Sequence, residues 1–88
     1  MRPKALEETI AVTVINPDER VWEGRAYSVS SVNSAGPFDI LPEHANFVTM
    51  IRNQPVIVRT IDHGEKTFTY KNAVITVNDN KVSIYTEI

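Results

Sequence analysis

Short runs of β-branched and aromatic residues, separated by turn-forming clusters, are the feature that most restricts the fold of this chain. The clusters are rich in Asn, Asp, Gly and Pro, which favour turns for separate stereochemical reasons. Repeated turn signals between such runs are typical of all-β sandwiches and barrels. The clusters occupy residues 16–19, 33–36, 52–55, 62–65 and 78–80.

Apolar and polar residues alternate in the last run, 81–88, which predicts a strand with one buried face. The same pattern recurs at 66–71 and 73–77, whereas both faces of 55–61 are largely apolar, which predicts a strand covered on both sides. Trp22 is interpreted as a core residue, since aromatic residues on strands are usually buried. We therefore predict an all-β fold, a two-sheet β-sandwich of roughly eight to ten short strands.

Length and composition fit one ordinary globular domain, with 88 residues, 42% hydrophobic and 23% charged. No apolar run reaches the ~20 residues of a membrane-spanning helix. A net charge of -2 argues against nucleic-acid binding, because neutralising phosphates requires clustered Lys and Arg. The chain has no cysteine, so it forms no disulfide or thiolate metal site. We expect a flexible N-terminal overhang over residues 1–9 and the sandwich domain over residues 10–88.

The strongest candidate for a functional surface is residues 36–49, an apolar segment interrupted by two prolines. Pro37 and Pro42 fix φ and remove backbone donors, so the segment is neither a central strand nor a helix interior. Its apolar side chains are expected to hold it on the core, each at roughly 1.5 to 3 kcal/mol when fully buried. The expected contacts to the core are Phe38, Ile40, Leu41, Phe47 and Val48, and the polar side chains expected to point outward on a rigid ridge are Asp39, Glu43, His44 and Asn46.

Catalysis is limited by the supply of histidine, since His44 and His63 are the only imidazoles. His63 lies in a predicted hairpin turn, where a solvated polar residue is the default. His44 is either a structural residue bonded to a backbone carbonyl or part of a recognition surface. One imidazole among carboxylates is a weak metal signal, and the isolated serines and glycines form neither a nucleophile elbow nor a phosphate-binding loop. We therefore predict no catalytic residue, no metal and no cofactor.

Three motifs together carry a family resemblance: Asn-Pro-Asp at 16–18, Val-Trp-Glu-Gly-Arg-Ala at 21–26 and Ile-Leu-Pro-Glu-His-Ala at 40–45. In this order and spacing they resemble the amino-terminal β-sandwich of the epsilon subunit of F-type ATP synthases, the delta subunit in mitochondrial naming. The similarity extends from about Ile10 to Ile84. That family usually continues into a two-helix hairpin, which residues 1–88 do not include; we expect either a truncated form or a natural short form without the hairpin.

The resemblance implies a non-catalytic component of the central stalk of a rotary ATP synthase, which couples the gamma subunit to the membrane c-ring in ion-driven ATP synthesis. It implies a peripheral location at the cytoplasmic face of the bacterial inner membrane, or the organellar equivalent, without direct membrane insertion. The strand at 55–61 is a candidate for the gamma-facing surface. The implied c-ring-facing residues are Asp39, Pro42, Glu43, His44 and Ala45.

A second hypothesis is a free-standing β-sandwich adaptor that binds a peptide or protein along an exposed strand edge, unrelated to a rotary motor. Co-purification with a gamma subunit distinguishes the two hypotheses. One departure from the resembled family bears on the loop: this chain has Glu43 where the family often has Gly after the proline, and Glu43 supplies a charge there.

Overall fold

The computed structural model describes residues 9–87, which form eight β-strands and no helix, and so none that could cross a lipid bilayer. The all-β prediction is confirmed, at the lower end of the expected strand number. The strands are β1 (Ile10–Ile15), β2 (Arg20–Asn33), β3 (Gly36–Ile40), β4 (Phe47–Arg52), β5 (Pro55–Thr60), β6 (Glu65–Thr69), β7 (Asn72–Asn78) and β8 (Lys81–Thr86).

The strands form one continuous hydrogen-bonded sheet that curls into two layers. Its order is β4-β7-β8-β1-β2-β5-β6, with β3 paired to β2 outside that path. Neighbouring strands are antiparallel except β1 and β8, which are parallel. β2 belongs to both layers, because its first half pairs with β1 and its second half with β5 and β3. At the edge strand β4 the Thr49 hydroxyl accepts a hydrogen bond from the side-chain amide of Asn33 at 3.0 Å, which joins β4 to the end of β2.

An irregularity at Tyr27 allows β2 to pass from one layer to the other. Ala26 pairs with Thr60, but the next pair is Ser28 with Arg59, so β2 carries one extra residue. Such a β-bulge bends a strand and shifts its side-chain alternation. Accordingly Ala26 and Val29 are both buried, while Tyr27 is left 50% exposed.

One hydrophobic core lies between the layers and takes one face of nearly every strand. The alternation predicted for 73–77 is confirmed, and that predicted for 81–88 is confirmed as far as β8 extends, to Thr86, since the core-facing residues of β7 and β8 are at most 3% exposed. Burial of this kind is the main stabilising contribution in a domain of this size. The core residues are Ile10, Val12, Val14, Ala26, Val29, Ile40, Ile51, Val56, Val58, Ala73, Ile75, Val77, Val82 and Ile84.

Trp22 packs against the margin of this core and is half-buried. Its ring centroid lies 6.4 Å from that of Phe68, and the Lys66 ammonium lies 6.0 Å from the indole. The indole also covers Gly24, where a Cβ would lie 2.6 Å from Trp22 Cζ2. The Trp-Glu-Gly motif therefore has a packing explanation: a residue without a side chain lets the indole lie against its own strand.

Strand β5 is buried on one face and half-buried on the other, so within residues 9–87 the predicted cover of both faces is only partial. Val56 and Val58 are buried, and Ile57 on the other face is half-buried. Beside Ile57, the Arg59 guanidinium donates to the hydroxyls of Ser28 at 3.2 Å and Ser30 at 2.8 Å. The outer face of β5 is therefore partly covered by a polar network of the chain itself.

The folded body includes Thr9, one residue earlier than the predicted boundary. Thr9 is buried, and its hydroxyl and carbonyl oxygens accept hydrogen bonds from the Arg25 guanidinium at 2.9 and 3.3 Å. The remainder of the predicted overhang, residues 1–8, lies outside the described residues, as does Ile88.

Candidate functional site

The prolyl loop, residues 41–46, connects β3 to β4 and contains most of the predicted site. The Leu41 carbonyl accepts a hydrogen bond from the His44 amide at 3.1 Å, which closes a β-turn around Pro42 and Glu43. Glu43 has a φ of 69°, in the left-handed region. Proline followed by a residue of positive φ is the pattern of a type II turn, whose second central position usually holds Gly or Asn. The loop thus has a defined backbone conformation with a Glu at an unfavourable position.

Two of the five expected core contacts are wrong. Leu41 is 53% exposed and Val48 is 69% exposed, so neither holds the loop on the core. Leu41 lies beyond the end of β3, and Val48 takes the outer face of β4 because its neighbour Phe47 faces inward. Ile40 is fully buried as predicted.

Aromatic rings, rather than Leu41 and Val48, hold the loop on the core. The rings of Phe38 and Phe47 meet edge to face at 5.9 Å, and the His44 imidazole lies 4.9 Å from the Phe47 ring. Phe38 and Phe47 are partly buried against the core. The loop is therefore held at its two flanking strands and, through His44, near its centre.

His44 makes the structural contact that was one of its two predicted alternatives. Its Nδ1 lies 2.7 Å from the carbonyl oxygen of Ala45. A carbonyl can only accept, so Nδ1 carries the proton and donates; in the singly protonated ring Nε2 is then an acceptor. No partner for Nε2 lies among residues 9–87. His44 is half-buried, so part of the residue stays accessible to solvent.

Three hydrogen bonds join the prolyl loop to the turn between β7 and β8. The Glu43 amide donates to Asn80 Oδ1 at 2.7 Å, and Asn80 Nδ2 donates back to Glu43 Oε2 at 3.0 Å. At the other end of the loop, Asn46 Oδ1 accepts from the Asp79 amide at 3.0 Å. Asp79 and Asn80 have φ values of 50° and 65°, as in the two-residue type I′ turn of a β-hairpin. These contacts could not be predicted from the sequence; the preference of the resembled family for Gly at position 43 indicates only the positive φ there.

Asp39 lies apart from the other predicted site residues. It is in β3, exposed, and its carboxylate accepts a hydrogen bond from the Ser30 hydroxyl. Ser30 in turn accepts from Arg59, whose Nε lies 3.3 Å from Glu65 Oε2. Asp39 thus belongs to the polar network on the outer face of β2, β5 and β6, while Pro42, Glu43, His44 and Ala45 lie together in the prolyl loop.

Residues 9–87 contain no group of three or more His, Cys, Asp or Glu side chains arranged to hold a metal ion. His63 lies in the exposed turn between β5 and β6, with its Nδ1 2.7 Å from Asp62 Oδ1. Gly64 in that turn has a positive φ of 69°, a conformation that glycine adopts readily. The prolyl loop offers a fixed turn, an imidazole acceptor and exposed Leu41 and Ala45. This combination suits recognition of another macromolecule.

The fold and the site together define a class, a small β-sandwich with a conformationally fixed loop between two of its strands. Comparison with known protein families makes this specific. The model of the family described as ATP synthase, Delta/Epsilon chain, beta-sandwich domain matches residues 9–88. The chain belongs to this family, as its motifs predicted.

Curated relatives are bacterial ATP synthase epsilon chains. The chain is 29% identical to that of Streptomyces coelicolor over 77 residues, which are 88% of this chain and 62% of the relative. It is 31% identical to that of Clostridium botulinum over 81 residues, 90% of this chain and 59% of the relative. The match to the shorter Micrococcus luteus chain is 29% over 73 residues, 83% of this chain and 80% of the relative. The chain thus spans about three fifths of the Streptomyces and Clostridium relatives.

Two solved structures share the fold. A chain in the Euglena gracilis mitochondrial ATP synthase, in a structure of OSCP, F1 and c-ring, matches with a TM-score of 0.80 and 19% identity, covering 89% of this chain and 50% of that one. A chain in the Tetrahymena thermophila mitochondrial ATP synthase central stalk and c-ring matches with a TM-score of 0.73 and 14% identity, covering 89% of this chain and 63% of that one. At these identities the likeness concerns the fold.

Proposed function

We propose that this protein is a non-catalytic component of the central stalk of a rotary ATP synthase and couples the gamma subunit to the membrane c-ring. The support is the family match over residues 9–88, together with relatives named as ATP synthase epsilon chains. The contribution of such a component is mechanical. A close-packed core has low compressibility, so the domain passes force between two partners with little internal deformation.

The observation that carries the site assignment is the fixed conformation of the prolyl loop. A loop that is already ordered loses little conformational entropy when it binds, and this favours affinity. The docking contacts come from Pro42, His44 and Ala45, with His44 Nε2 as a hydrogen-bond acceptor for polar groups of the c-ring, and Glu43 shapes the turn that presents them. Asp39 lies outside this docking surface, on the strand that leads into the loop.

The complex holds the protein at the cytoplasmic face of the bacterial inner membrane, or the organellar equivalent, as a peripheral subunit. Contact with gamma uses a surface other than the prolyl loop, so that both partners bind at once. The outer face of β5 is one candidate for that contact, with Ile57 as its apolar residue.

Co-purification tests the function and the site separately. The tagged protein is recovered from detergent-solubilised membranes, and gamma and c subunits are quantified in the eluate. The test variant combines His44→Ala with Glu43→Gly, because Gly accepts the positive φ at position 43. The control combines His63→Ala with Asp62→Ala, which removes the same kinds of side chain from a different exposed turn.

We expect the wild type and the control to recover gamma and the c-ring together, and the test variant to recover gamma with much less c subunit. Undiminished recovery of c subunit with the test variant would refute the site assignment. If the wild type recovers neither gamma nor c subunit, the stalk function is wrong and the adaptor hypothesis is favoured.

A further inference from the structure

The prolyl loop has a partner within the chain that the docking proposal does not use. Asn80, 37 residues away in sequence, accepts from the Glu43 amide and donates to the Glu43 carboxylate. The two bonds are reciprocal, and the donation to a carboxylate is of the stronger, charge-assisted kind. Glu43 is therefore tied to the turn between β7 and β8 through both its backbone and its side chain.

The conformation of Glu43 explains why such a contact matters. A residue with a Cβ is disfavoured at positive φ, because the Cβ approaches the backbone carbonyl oxygen. Left to itself, Glu43 would spend much of its time in other conformations, and the following residues, His44 and Ala45, would point elsewhere. The bonds to Asn80 form only when the turn has the observed shape, so they favour that shape.

The turn that carries Asn80 is itself fixed to the body of the domain. The Asn80 carbonyl accepts from the Ala11 amide at 2.9 Å, which joins the turn to β1 next to the buried Val12. The Asp79 amide donates to Asn46, so the same turn also holds the far end of the prolyl loop. The loop is thus attached to a rigid support at two points.

We propose that Asn80 is a positioning residue for docking: it holds the prolyl loop in its binding conformation, and Glu43 acts through Asn80 while His44 and Ala45 make the contacts to the partner. This inference rests on the docking function proposed above. It predicts that the pairing between positions 43 and 80 matters for binding, and that the identity of either side chain alone does not.

A charge-neutral exchange of the two groups tests the pairing. Asn80→Asp alone sets a carboxylate against the Glu43 carboxylate. Combining it with Glu43→Gln restores one amide and one carboxylate in swapped places, with both hydrogen bonds possible and the net charge of the wild type. Asn80→Gly removes the side chain and tolerates the φ of 65°. Asp79→Gly is the matched control, since it makes the same kind of change in the same turn and leaves the pair intact.

Two measurements are made on each variant: hydrogen exchange of the Glu43 amide by NMR in the protein alone, and affinity for detergent-solubilised c-ring. Asn80→Gly and Asn80→Asp should speed Glu43 exchange on the order of tenfold while the core amide of Ile84 keeps its protection. The same two variants should bind the c-ring about fivefold more weakly, the change expected from losing one exposed charge-assisted bond. The swapped double variant and Asp79→Gly should match the wild type in both measurements.

The results separate this inference from the proposed function. If the wild type binds the c-ring and Asn80→Gly binds equally well, or if the swap fails to restore the binding lost in Asn80→Asp, the positioning role is overturned while the docking function stands. If the wild type does not bind the c-ring at all, the docking function fails and the positioning role fails with it, even where the exchange data confirm the internal pair.

Discussion

Substituting Gly24 by Ala should displace the indole of Trp22 and destabilise the domain. The new Cβ would lie 2.6 Å from Cζ2 and 2.8 Å from Cη2 of the indole, closer than carbon atoms approach without a shift. Because the indole is half-buried, displacing it exposes on the order of 50 to 100 Å² of apolar surface. This lowers the free energy of unfolding by roughly 1 to 2.5 kcal/mol. Ala recovers about 0.5 to 1 kcal/mol through its lower backbone entropy in the unfolded chain.

The expected net loss is therefore about 1 kcal/mol, or a decrease in Tm of roughly 4 to 8 °C for a domain of this size. Urea denaturation gives the free energy of unfolding. Trp22 is the only tryptophan, so the fluorescence of the folded state reports directly on its environment. We expect emission at longer wavelength in the variant, since the indole becomes more exposed.

A double-mutant cycle isolates the cause. Phe at position 22 lacks the outer part of the indole, so Gly24→Ala should cost less in the Trp22→Phe background, with a coupling of roughly 1 kcal/mol. If Gly24→Ala leaves both stability and the emission maximum unchanged, or if its cost is the same in the two backgrounds, the explanation of the Trp-Glu-Gly motif by packing is wrong.

Two further substitutions test the turn between β5 and β6 and the hydrophobic core by the same denaturation assay. Thr60→Val removes the hydroxyl that donates to the Gly64 carbonyl at 2.7 Å and accepts from the His63 amide at 2.8 Å, and should cost about 1 to 2 kcal/mol; a neutral effect would mean that water replaces both bonds. Ile84→Val removes one methyl group from a fully buried site and should cost roughly 0.5 to 1.5 kcal/mol, and a smaller loss would indicate a core that closes around the space.

The strand pattern could be read from the sequence because burial imposes a period of two on a half-buried strand. Val82 and Ile84 alternate with polar residues and are buried, and the clusters around 16–19 and 78–80 separate strands as predicted. Which residues of β2 face the core could not be predicted in this way. The bulge at Tyr27 adds one residue and shifts the alternation, and it has no distinctive signal in the local sequence.

The exposure of residues on β4 was harder to predict, because it depends on how β4 pairs with a distant strand. Val48 pairs with Thr76 on the outer face, and nothing near Val48 in sequence determines which face that is. Asn80 was missed for a related reason: its contact with Glu43 joins two turns separated by 37 residues. Turn propensity predicts that a turn exists, but it does not predict which distant residues the turn contacts.

Site-specific photo-cross-linking in assembled membranes tests directly the proposal that the prolyl loop faces the c-ring. The chain has no cysteine, so Ala45→Cys carries the only site for a thiol-directed photoprobe, with Thr67→Cys on the exposed face of β6 as the control. We expect a cross-linked product with the c subunit from position 45 and none from position 67. Products from position 45 that contain only gamma, or the same yield of c-subunit product from both positions, would contradict it.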